Sequence, residues 1–173
     1  VASTDLYGGT VNLFKNTLRQ QGIEVRFADP ADPKNFEKLT DNKTRAYYGE
    51  SCPNPYLRVF PIKEVADIGR KKGIPLIIDN TASPVICKPL AHGAAIVMHS
   101  LTKYIGGHGT SIGGIIVDGG NFDWTKDRKR QPLMNEPDQS YNGAIWADAV
   151  PQLTGANIPF AIRARVVLLR DLG

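Results

Sequence analysis

Two short and almost uninterrupted apolar runs stand out in the chain, Pro75-Leu76-Ile77-Ile78 and Ala94-Ala95-Ile96-Val97-Met98. Apolar runs of this length, without alternation, are the pattern of parallel strands covered on both faces. The first ends in a carboxylate, Asp79. The second continues into His99-Ser100-Leu101-Thr102-Lys103-Tyr104 and a glycine-rich loop, Gly106 to Gly114. Groups of opposite charge thus follow the C-terminal ends of two strands, the edge where open α/β sheets bind ligands.

The remaining pattern supplies the frame. Tyr7-Gly8-Gly9-Thr10 predicts a turn, with Thr10 capping a helix that runs to about Gln21 and stops at Gly22. Ile23–Ala28 alternates as a strand, with Val25 and Phe27 on one face. Lys34–Leu39 reads as a short helix and Thr44–Gly49 as another strand. Two prolines make Glu50-Ser51-Cys52-Pro53-Asn54-Pro55 a stiff extended loop. Ile62–Lys72 is an amphipathic helix with Ile62, Val65, Ala66 and Ile68 inward, and Ile112–Val117 is a further strand. Asn121–Tyr141 is polar and reads as a long surface excursion, before helices at Gly143–Leu153 and Ile158–Leu172. This succession predicts an α/β domain, a three-layer, mostly parallel sheet with helices on both faces.

Composition narrows the partners. The formal net charge is +4, and the basic cluster Lys126 to Arg130 is interrupted by Asp127. No long basic face with interleaved aromatics exists, so nucleic acid is not expected. Cys52 and Cys87 lack metal-ligand spacing, which fits a reducing compartment, the cytoplasm, and calls for no metal. No apolar run approaches the ~20 residues of a membrane span. The chain opens on a strand-like Val1-Ala2-Ser3-Thr4 and closes just after a helix, so it is expected to be part of a longer polypeptide.

A lysine among hydroxyls and glycines suits two tasks, neutralising a phosphate or forming a Schiff base. The GxxxxGK[ST] loop is absent. A GxGxxG fingerprint fails too, because Gly107-His108-Gly109-Thr110-Ser111-Ile112 lacks the last glycine and precedes a strand. Pyridoxal 5′-phosphate (PLP) requires a lysine for its aldehyde and an acid facing its ring nitrogen. Lys103 and Asp79 answer that need, with hydroxyls of Ser100 and Thr102 for the phosphate. The residues alone leave open a plainer alternative, in which Asp79-Asn80-Thr81 is a turn and Lys103 a surface charge.

Ile77-Ile78-Asp79-Asn80-Thr81, followed by His99-Ser100-Leu101-Thr102-Lys103-Tyr104 and Gly106-Gly107-His108-Gly109, closely resembles the Cys/Met-metabolism family of PLP enzymes, of fold type I. Leu6-Tyr7-Gly8-Gly9-Thr10 is similar to that family's turn with a stacking tyrosine, and Glu50 to Pro55 to its ES-x-x-NP loop. The resemblance implies that Lys103 is the Schiff-base lysine and proton shuttle and that Asp79 faces the ring nitrogen. It implies Tyr7 for stacking and assistance to catalysis, Asn54 for the phenolic oxygen, Ser100 and Thr102 for phosphate, and Thr81 near the ring.

Gly107 to Gly114, Asp118 to Trp124 and Pro137 to Gly143 resemble the sulfhydrylase members most, although Asn142 stands where a histidine is common. That branch implies γ-replacement on O-acetyl-L-homoserine by sulfide, giving homocysteine and acetate. A methionine γ-lyase or a cystathionine γ-synthase or lyase is the alternative within the family, and a cofactor-free scaffold the alternative outside it. The resemblance further implies a homotetramer in which a neighbouring subunit completes the site. Residues 1–157 would be a partial PLP-binding large domain with a long loop at 119–142. Residues 158–173 would begin a helix towards an absent C-terminal domain that supplies the arginine for the substrate carboxylate. Arg163, Arg165 and Arg170 are expected to be structural, and the piece alone inactive.

Overall fold

The computed structural model describes residues 1–173. β1 (Ala2–Ser3) leads to α1 (Gly8–Asn12), a π-helical stretch (Leu13–Thr17) and α2 (Leu18–Gln20). β2 (Phe27–Ala28), α3 (Lys34–Lys38), β3 (Tyr47–Glu50), α4 (Ile62–Lys71) and β4 (Leu76–Asp79) follow. A 3-10 turn (Pro89–His92) precedes β5 (Ile96–Ser100), and a π-helical turn (Leu101–Ile105) precedes β6 (Gly114–Asp118). The chain then forms α5 (Pro132–Asn135), a 3-10 turn (Gln139–Tyr141), α6 (Trp146–Thr154) and α7 (Pro159–Arg163), which continues into a π-helical end (Ala164–Arg170). No helix is long and apolar enough to cross a membrane.

The six strands form one sheet in the order β2-β1-β3-β4-β5-β6. All neighbours are parallel except β5 and β6, which run antiparallel with Met98 opposite Ile116. The centre of the sheet is covered on both faces. Leu76 and Ile78 of β4 enter one core with Phe36 of α3 and Val65 and Ala66 of α4. Ile77 packs on the second core, where Ile96 of β5 joins Phe122, Trp124, Met134 and Trp146. Two separate cores explain why β4 and β5 need apolar residues at successive positions. Each fully buried aliphatic side chain there stabilises the fold by roughly 1.5–3 kcal/mol.

Several boundaries differ from the sequence pattern for tertiary reasons. Thr10 is not a cap. The helix begins at Gly8, and its start is fixed from a distance by Glu50, which accepts the Tyr7 N–H. The strand expected at Ile23–Ala28 shortens to Phe27–Ala28, because β1 offers only Ala2 and Ser3 as partners. Thr44–Ala46 lies outside β3, which instead extends to Glu50. Ile112 and Gly113 likewise lie outside β6. The last helix loses α-helical geometry at Ala164.

The largest correction concerns Asn121–Tyr141. It is not a mere surface excursion, since Phe122, Trp124 and Met134 are buried in the second core. Trp124 stacks on Phe160 and meets Phe122 edge-on. Gln131 also reaches inward, donating to the carbonyls of Arg45 and Gly73 at 2.9 and 3.1 Å. Isolated aromatics in a polar segment carry no period, so their burial was not readable as an element.

Candidate functional site

Because β3, β4 and β5 are parallel, their C-terminal residues Glu50, Asp79 and Ser100 emerge at the same edge. Glu50 is the register partner of Asp79. Beyond this edge lies a cavity of about 700 Å³, lined by Tyr7, Glu50, Cys52, Asn54, Leu57, Asp79, Thr81, Ala82, Ser100, Lys103, Tyr104 and Gly107. Six of the seven residues singled out from sequence are therefore brought together: Tyr7, Asn54, Asp79, Thr81, Ser100 and Lys103.

Thr102 is the exception. Its Oγ1 accepts the Gly113 N–H at 3.1 Å and donates to the Gly113 carbonyl at 3.3 Å, so the side chain clips the loop and does not line the cavity. Thr81 lines the cavity but also acts as a strut. Its Oγ1 accepts the Ser100 N–H at 2.7 Å, and its own N–H donates to Asp79 Oδ1 at 2.9 Å. One residue thus joins the ends of β4 and β5. Behind it, Asn80 is almost fully buried. Its Oδ1 accepts from Ser51 Oγ and Ser83 Oγ at 2.7 and 3.1 Å, while its Nδ2 donates to the Cys87 carbonyl at 3.0 Å. Such fully satisfied networks hold a polar edge rigid.

Lys103 sits in the π-helical turn after β5 but departs from helical geometry, with φ −94° and ψ −117°. Two glycines make the return possible. A Cβ at Gly106 would lie 2.5 Å from the Leu101 carbonyl oxygen, and Gly107 has φ +76°. Neither Lys103 Nζ nor the side chains of Asn54 and Ser100 make a hydrogen bond or ion pair within the protein. Tyr7 is half exposed, and its ring lies alongside the start of α1, where a Cβ at Gly9 would come within 2.7 Å of it.

Sequence reasoning passed over Glu50. The residue is buried, with 6% of its surface exposed, and its carboxyl is pushed up to about 7. Burial is the main cause; the Tyr7 N–H opposes it and the charge of Asp79 adds to it. The signal was present, since Glu50, like Asp79, is an acid at the end of a strand. Arg58 was also missed. It donates to Asp5 at 2.7 Å and Asp29 at 3.0 Å, tying the loop after Asn54 to the ends of β1 and β2.

The basic cluster Lys126–Arg130 lies elsewhere, beside a cleft of about 420 Å³ without apolar lining. Two of its cations are paired internally, Arg128 with Asp148 at 2.7 Å and Arg130 with Asp127 at 3.1 Å.

The large cavity suits PLP by the chemistry of its donor set. An unpartnered amine, a carboxylate with one oxygen free, an aromatic face and an unpartnered amide and hydroxyl converge on one space. These are complementary to an aldehyde, a ring nitrogen, a flat heteroaromatic ring, a phenolic oxygen and a phosphate.

Comparison with known proteins agrees with this chemistry. The family model of Cys/Met metabolism PLP-dependent enzymes matches residues 1–158. An O-acetyl-L-homoserine sulfhydrylase of Leptospira meyeri is 49% identical over the whole chain, and a homocysteine synthase of Schizosaccharomyces pombe 43%. The chain spans 40% of the length of each of these relatives. Among solved structures, a protein described as an O-acetylhomoserine (thiol)-lyase, from Campylobacter jejuni, superposes with a TM-score of 0.86 at 37% identity. The match covers 99% of this chain and 41% of that one, whose structure contains N′-pyridoxyl-lysine-5′-monophosphate. The chain belongs to the Cys/Met metabolism family of PLP-dependent enzymes.

Proposed function

We propose that the chain carries the cofactor-binding part of an enzyme that exchanges the acetoxy group of O-acetyl-L-homoserine for sulfide, giving homocysteine and acetate. The observation that carries this reading is the meeting of Lys103 and Asp79 in one cavity. The names borne by relatives up to 49% identical favour the sulfhydrylase branch. Bound PLP supplies an electron sink for the substrate carbon from which a proton is taken.

The chain's own groups do the rest. Asp79, with Oδ1 held by the Thr81 N–H, places a negative charge that keeps a proton on the ring nitrogen. Lys103 Nζ, free of any ion pair, would hold the aldehyde and, once the substrate amine displaced it there, would be free to carry the substrate α-proton. Tyr7 offers its ring as a stacking face and its hydroxyl near the leaving group. Ser100 Oγ and Asn54 donate to phosphate and phenolic oxygens. The remaining part of the relatives' length would supply the arginine for the substrate carboxylate, and a neighbouring subunit of a cytoplasmic homotetramer would close the site.

The test uses the full chain, meaning these residues within a polypeptide of the relatives' length because the 173 residues alone are expected to be inactive, and supplies it with PLP, O-acetyl-L-homoserine and sulfide. Homocysteine and acetate are expected in equal amounts, with a visible cofactor band that Lys103→Ala abolishes along with roughly 10³-fold or more of the turnover. A band that survives Lys103→Ala refutes the cofactor assignment. Turnover of methionine in place of O-acetyl-L-homoserine moves the enzyme to the lyase branch.

A further inference from the structure

Glu50 is a buried carboxyl with no part in the chemistry proposed for Lys103 and Asp79. It stands in register beside Asp79 and lines the same cavity. Adjacent carboxylates on neighbouring strands are unfavourable, since like charges oppose each other and burial removes water. No cation offsets them, because Glu50 takes part in no ion pair with any Lys or Arg. What Glu50 does hold is a backbone amide. Its Oε1 accepts the Tyr7 N–H at 2.8 Å, across 43 residues of sequence. Tyr7 directly precedes α1, so this bond fixes where its ring leaves the turn.

We propose that Glu50 is a positioning residue for the cofactor ring, placing Tyr7 through its amide and setting the charge beside Asp79 through its own carboxyl, a role that rests on those proposed for Tyr7 and Asp79. Arg58 reinforces the turn from the same segment. Its Nε donates to Asp5 Oδ2 at 2.7 Å, two residues before Tyr7. The segment Glu50–Arg58 therefore grips the turn at two points, and it also carries Asn54. Tyr7 and Asn54 are thus tied to the same segment.

The titratable and charged groups around Glu50 are Asp79 from β4, Lys103 from the turn after β5, Tyr7 from the turn before α1, and Tyr48 and Cys52 from its own segment. A protonated ring nitrogen held at Asp79 favours the ionised form of Glu50. Ionisation of Glu50 then contributes a rise in cofactor affinity with pH up to about 7, the value to which burial pushes it, and no further rise above that.

The test uses the full chain and PLP itself. The dissociation constant is measured by equilibrium dialysis, the ring placement by visible circular dichroism, and folding by melting of the cofactor-free protein. Glu50→Ala is expected to weaken PLP binding about tenfold and to diminish the visible dichroism. Glu50→Gln keeps an acceptor for the Tyr7 N–H, so it should restore the dichroism while losing the rise in affinity towards neutral pH. Wild-type affinity and dichroism in Glu50→Ala, or an unchanged pH dependence in Glu50→Gln, overturns the role. If Glu50→Ala does not fold, the pH profile of Glu50→Gln alone decides. A wild type that takes up no PLP overturns the reading of the whole site and this role with it. PLP bound normally by wild type and by both variants overturns the role of Glu50 alone.

Discussion

The two walls of the cavity are built differently. On one side Asp79, Asn80 and Thr81 continue β4 and are tied by side-chain and backbone hydrogen bonds to β3, β5 and the loop carrying Ser83 and Cys87. On the other side every residue from Lys103 to Ile116 is exposed, and the Lys103 side chain has no partner within the protein. The difference separates two requirements. A charge that faces a fixed atom is best built into a sheet edge, where its neighbours over-determine it. An amine that must bind, release and carry a proton needs a polar group left uncommitted. The first wall commits its hydrogen bonds to placement, whereas on the second the Lys103 amine commits none within the protein.

The strongest way to break this comparison is to remove the hub of the fixed wall. Asn80→Ala deletes three side-chain hydrogen bonds, leaving the Cys87 carbonyl without its donor and the hydroxyls of Ser51 and Ser83 with each other but without their shared acceptor. A loss of about 3–4 kcal/mol in urea unfolding of the full chain is expected. A loss below about 1 kcal/mol would mean that the wall is held by the sheet alone.

The same contrast explains what was legible in the sequence. The ends of β4 and β5 were readable on both walls because their polar groups follow directly on apolar strands, Asp79 on the fixed wall and Ser100 leading to Lys103 on the open one, in the parallel pairing that unites them. Tyr7 and Asn54 rested on the resemblance to a family, since neither spacing nor periodicity puts either next to Asp79. Contacts across long separations left no local trace. The Glu50 bond to Tyr7, the Arg58 clasp on Asp5 and the burial of Phe122 and Trp124 all join segments far apart in the chain. Hydroxyl spacing also does not reveal which partner a hydroxyl takes within the protein, and that of Thr102 takes Gly113.

A second perturbation sharpens the fixed wall through pH. Glu50 is raised from 4.5 to about 7 in the folded chain, first by burial. A carboxyl whose folded value is raised is stabilised in its neutral form. The stability it confers is complete below about 4.5 and is lost as pH climbs to about 7. Glu50→Gln, neutral throughout and still an acceptor, should lack this decline. The cofactor-free variant should gain roughly 2 kcal/mol over wild type at pH 8 relative to pH 5, read from denaturant unfolding at the two values. A constant difference between the two proteins across that window would show that Glu50 is not buried as a neutral acid.

The smallest expected effect lies on the open wall and decides what Thr102 is for. Its hydroxyl closes a two-way contact with Gly113, and the Leu101 N–H donates to the same carbonyl at 2.9 Å. Thr102→Val keeps the shape and removes both side-chain bonds. Because the loop is exposed, water replaces what is lost, and the cost should stay near ~1 kcal/mol or less. That loss should appear locally, as roughly fivefold faster hydrogen exchange at the Gly113 N–H with an unchanged global melt. PLP affinity should fall by no more than a comparable factor, with Thr102→Ser restoring both. A loss of affinity beyond about 100-fold without faster exchange at Gly113 would reverse the assignment. It would make Thr102 a direct phosphate donor, and the open wall would then commit its hydroxyl to the ligand instead of to the loop.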